Sequence, residues 1–79
     1  MNSFNDELAL AKKWRKDNPQ CSGGYVLLCG GIVTGWKREL KHPETEMPGS
    51  LAISENEEIF VSFGGDDIHG STGWKMTTE

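Results

Sequence analysis

The stretch Tyr25-Val26-Leu27-Leu28-Cys29-Gly30-Gly31-Ile32-Val33-Thr34-Gly35-Trp36-Lys37 decides the fold. Five apolar residues in a row are too few for a core helix and suit a buried strand. A second run rich in β-branched and aromatic residues follows after two glycines. Two strands joined by Gly-Gly predict a hairpin, because a type I′ turn needs positive φ at both central positions.

Upstream, residues 3–17 read as a helix. Ser3 is the predicted N-cap and Asp6 stands where a capping box places its acid. Asp6 and Glu7 suit the positive end of the helix dipole, and Lys12, Lys13, Arg15 and Lys16 its negative end. Phe4, Leu8, Leu10, Ala11 and Trp14 form the predicted apolar face, and Asn18-Pro19 ends the helix. Cys21-Ser22-Gly23-Gly24 is a connector.

Downstream, residues 39–49 read as a polar loop with Pro43 and Pro48. Strands are expected at 50–54, 58–63 and 72–77, joined by a turn at Glu55-Asn56-Glu57 and a Gly/Asp-rich loop at 64–71. The expectation is an α+β fold: a single domain over 1–79, one N-terminal helix on a four- to five-stranded antiparallel sheet spanning 24–77. Thr34-Gly35-Trp36-Lys37 returns as Thr72-Gly73-Trp74-Lys75. Gly before Trp in a strand predicts a bulge, or an indole lying over the glycine.

Composition narrows the function classes. With 79 residues, 35% of them apolar, and ten glycines, one small core is all the chain can build. No apolar run is long enough to cross a membrane, and the N-terminal residues do not read as a secretory signal. The expected compartment is the cytoplasm, with Cys21 and Cys29 as free thiols and Cys29 as a small buried hydrophobe. His42, His69, Asp66, Asp67 and the cysteines follow no metal-ligand spacing, and neither thiol is marked as a nucleophile. The letters Gly64-Gly65-Asp66-Asp67 overlap a nucleotide-cyclase motif, but that motif belongs to a much longer domain. No enzyme, no metal and no cofactor are expected.

The net charge of −4 conceals an asymmetry. Residues 1–41 carry seven Lys/Arg against four acids, whereas residues 42–79 carry Lys75 against eight. Lys12-Lys13-Trp14-Arg15-Lys16 could touch phosphates, but Trp14 falls on the apolar helix face and the chain is acidic. Direct nucleic-acid binding is therefore disfavoured. Glu44, Glu46, Glu55, Glu57, Glu58, Asp66 and Asp67 all fall in loops and turns. If they converge, they form a face suited to a protein or nucleoprotein complex with a basic surface. Trp36 and Trp74 are candidate anchors for such a contact. The alternative is a small homodimeric structural or regulatory module that pairs through an exposed sheet edge.

Gly35-Trp36, Leu40, Pro43, Pro48-Gly49 and Ala52, followed by Gly64-Gly65, Gly70 and Trp74, resemble small accessory proteins of phages and prophages. The resemblance spans roughly residues 24–75 and brings no functional residues with it. It implies a mobile-element protein acting in the host cytoplasm. Anti-CRISPR proteins, which bind and disable a host defence complex, are the best-known class of that kind.

Overall fold

The computed structural model describes residues 4–77. One helix, α1 (Asn5–Asp17), precedes five strands: β1 (Tyr25–Cys29), β2 (Ile32–Lys37), β3 (Leu51–Ser54), β4 (Ile59–Phe63) and β5 (Gly73–Thr77). They form one sheet in the order β2-β1-β3-β4-β5, with every neighbouring pair antiparallel. The architecture is the expected α+β.

Gly30 and Gly31 take φ of 63° and 83°, as a type I′ hairpin turn requires. Leu27 pairs with Gly35 and Leu28 with Val33, so Thr34 is the extra residue of a β-bulge. The bulge expected near Gly35 is present, but neither indole covers the glycine before it. A Cβ on Gly24 would meet the Trp36 ring, a Cβ on Gly73 would meet the Phe63 ring, and Gly35 faces open space.

The helix begins at Asn5 with Phe4 in the cap position, where the Phe4 side chain offers no capping hydrogen bond. The predicted cap, Ser3, lies outside the described residues. Phe4, Leu8, Ala11 and Trp14 face the sheet at helical spacing, whereas Leu10 is 36% exposed and turns away from it. A 100° step separates Leu10 from Ala11, and the apolar stripe is narrower than the sequence suggests. Val26, Leu28, Ile53 and Ile59 complete the core beneath the helix. Fully burying each of these side chains stabilises the fold by about 1.5–3 kcal/mol.

Alternation along the strands sends Tyr25, Leu27, Ala52, Phe60, Ser62, Trp74 and Met76 to the opposite face. Leu27, Ala52 and Ser62 are buried there as well. From β2 the chain must return past β1 to reach β3. The connection, residues 38–50, includes a single 3-10 turn at Pro43–Thr45 and lies on this second face. Three buried serines fasten it. Ser62 donates its hydroxyl to the Met47 carbonyl (2.9 Å) and accepts the Ser50 amide (3.0 Å). Ser50 donates to the same carbonyl (2.6 Å), and Ser71 donates to the Glu46 carbonyl (2.9 Å).

At the far end of α1, Arg15 donates to the carbonyls of Gly23 (2.7 Å), Gly24 (2.9 Å) and Ile53 (3.3 Å). One guanidinium therefore joins helix, connector and β3. Cys29, expected to be buried, is half-buried at the end of β1, where the glycine turn leaves it a solvent side.

Candidate interaction surface

Residues 64–71 are a small, internally bonded loop. The Asp66 amide donates to the Gly70 carbonyl (3.1 Å), and the Gly70 amide donates back to the Asp66 carbonyl (2.8 Å). Within this ring the Asp66 carboxylate accepts the amides of Ile68 (3.0 Å) and His69 (2.7 Å), and the His69 ring nitrogen lies 3.1 Å away. These contacts, the His69 amide first, hold the Asp66 carboxyl below its ordinary range. Gly70 sits directly on the Glu44 carbonyl, where no Cβ would fit. With Ser71 bonded to Glu46 and Pro43, this contact unites the two loops at one end of the molecule.

Glu44, Asp66 and Asp67 are exposed at that end. The Glu44 carboxylate is held below its ordinary range by its own amide, with His42 adding to the effect at 3.1 Å. Glu46 differs. It is 14% exposed at the side chain and forms an ion pair with Lys37 at 3.3 Å, so its charge is spent on holding the connection to β2.

Glu55, Glu57 and Glu58 occupy the turn after β3, at the opposite end of the strand. The separation is on the order of 13 Å along four strand residues. Glu57 pairs with Lys12 (3.3 Å), Glu55 accepts the Gly23 amide (3.2 Å), and the Glu58 amide donates to the Ser54 hydroxyl (3.0 Å). The seven acids do not converge on one face. Glu44, Asp66 and Asp67 form an exposed cluster, Glu46 is paired with Lys37 beside it, and Glu55, Glu57 and Glu58 lie in an exposed turn at the other end, where Glu57 pairs with the helix.

Trp36 belongs to the scaffold. It packs on the core, donates its indole N–H to the Gly23 carbonyl (3.0 Å), and has the Arg38 guanidinium over its ring at 5.9 Å. Trp74 is half-buried on β5, and its indole nitrogen is shut off from solvent without a hydrogen-bond acceptor. The side chain best placed to anchor a partner is one the sequence reading passed over. Ile68, 87% exposed, stands at the tip of the acidic loop, and Met47, 52% exposed, lines the same cleft with Glu44, Asp67 and Cys29. The signal was present in the sequence as a lone aliphatic among Gly, Asp and His.

Among the described residues no group of three or more His, Cys, Asp or Glu side chains is arranged to hold a metal ion, and Cys21 and Cys29 are free thiols. No helix among them is long and apolar enough to cross a membrane. No protein-family model, curated protein or solved structure matches this chain.

Proposed function

We propose that this chain is a non-enzymatic binding protein of the phage accessory type. It docks its acidic end on the Lys/Arg-rich nucleic-acid surface of a host defence complex, with a CRISPR effector as the target class. The observation that carries this reading is the pre-formed loop in which Asp66 fixes the backbone while Asp67, Ile68 and neighbouring Glu44 face solvent. A loop ordered before binding loses little entropy on docking. Its carboxylates speed encounter with a basic channel, and an aliphatic tip gives a contact that salt does not screen.

The test is binding of the purified protein to a CRISPR effector complex, read as displacement of labelled nucleic acid at low and high salt. Displacement that weakens with salt is expected. Asp67→Lys should reduce affinity about tenfold, and Ile68→Asp should remove the component that persists at high salt. Asp66 is left intact because its carboxylate builds the loop. Failure of the folded wild-type protein to displace nucleic acid from any effector type would overturn the reading.

A further inference from the structure

The sheet has two edges, and they are built differently. The outer edge of β2 is broken by the Thr34 bulge, a device that twists an edge away from further pairing. The outer edge of β5 has no such defect. Gly73–Thr77 pairs with β4 in unbroken register over five residues, and among the described residues no strand lies beyond it. Large apolar side chains flank this edge on both faces, with Phe63 44% exposed on the helix side and Met76 51% exposed on the other.

We infer that β5 is a docking edge for an extended segment of a protein partner that places an acidic residue across from Lys75. A strand pairs with a whole row of outward amides and carbonyls at once, and antiparallel addition to a sheet edge is an established binding mode. The charge requirement comes from Lys75, the single basic residue after position 41, which projects on the helix side beside the Phe63 ring at 6.0 Å. On the other face the incoming strand sets one side chain beside Trp74 and one beside Met76. The first packs on the indole ring, and an aliphatic group at the second covers the thioether. A second copy of this chain fits less well. Self-pairing over all five residues places Lys75 opposite its own copy, and like charges directly opposite are destabilising. β5 follows directly on the acidic loop and touches the Pro43–Thr45 turn, but the inference does not rest on the function proposed above.

The probe is the peptide acetyl-Thr-Val-Val-Glu-Thr-Val-Thr-amide, compared with the same peptide carrying Lys for Glu. It is titrated to millimolar concentration into isotope-labelled protein, with backbone amide shifts as the readout. Shifts centred on residues 73–77 are expected, together with slowed amide exchange there. The Glu peptide should bind about fivefold more tightly than the Lys peptide, with the preference reversed in Lys75→Glu. Absence of shifts in β5 with either peptide overturns the inference, and so does equal affinity for both. Mass that doubles with concentration in the absence of peptide, with β5 amides protected, overturns it in favour of a second copy. The dispersed amide spectrum of Lys75→Glu controls for folding.

Discussion

Asp66 illustrates how one side chain can be structural and still define a binding end. Its carboxylate accepts two backbone amides and lies against the His69 ring, so the charged form is favoured in the fold. The folded-state pKa is below the ordinary 3.8, and the direction of the linkage follows. The stabilisation is fully present above the ordinary value and is lost as pH falls through the lowered one. Glu44 acts in the same direction. Thermal melting of the wild type should therefore drop as pH falls below the ordinary carboxylate range, and Asp66→Asn should flatten that limb. An unchanged acid limb in Asp66→Asn would show that the loop holds without its charge. The sequence marked Asp66 as a candidate but could not show that its carboxylate caps two amides of its own loop, although it too is exposed. Adjacent identical residues in a turn differ only in φ and ψ, which the letters do not carry.

At the scale of elements, α1 and the β1–β2 hairpin were legible because local chemistry determines them. Helical spacing of Phe4, Leu8, Ala11 and Trp14 and the Gly30-Gly31 turn need no tertiary information. The attachment of the helix was not legible. Arg15 reads as one of several cations suited to a helix C-terminus, yet it alone bridges the carbonyls of Gly23, Gly24 and Ile53. Replacing Arg15 by Ala removes the guanidinium's bonds to all three carbonyls, leaving Gly23 with the Trp36 indole, and should cost about 2–3 kcal/mol. Arg15→Lys should recover only part of this, because an ammonium cannot span the two connector carbonyls with a planar fork. Urea unfolding midpoints of the two variants check the order, and equal midpoints for wild type and Arg15→Ala would deny the bridge any role.

For the molecule as a whole, the decisive contacts are the serine hydrogen bonds on the second sheet face. Ser50, Ser62 and Ser71 are ordinary strand and loop residues in the sequence, and nothing in their spacing marks them as buried. Apart from the local Ser50–Met47 bond, their partners lie 12 to 25 residues away, so only the assembled sheet reveals them. For the same reason the two acidic groups could not be told apart beforehand. Which acids share an end depends on the return of the connection past β1. Ser62→Ala removes a donor to the Met47 carbonyl and an acceptor for the Ser50 amide in a closed site, and should destabilise the protein by about 1–3 kcal/mol. Hydrogen exchange should then quicken over residues 38–50 well before it does in β1. Uniform exchange across both segments would mean that the connection and the sheet open as one unit.

The 38–50 connection also has a place in time. The β1–β2 turn closes over two residues, whereas the bond from Ser71 to Glu46 spans 25, and distant contacts form only after the intervening chain has been brought together. Closing the hairpin and the β3–β4 turn therefore costs less chain entropy than fastening the connection to Ser71. A nascent segment reaching Lys37 already holds the residues of its hairpin, whereas joining the Ile68 loop to the connection requires residues 43–71 to be present together.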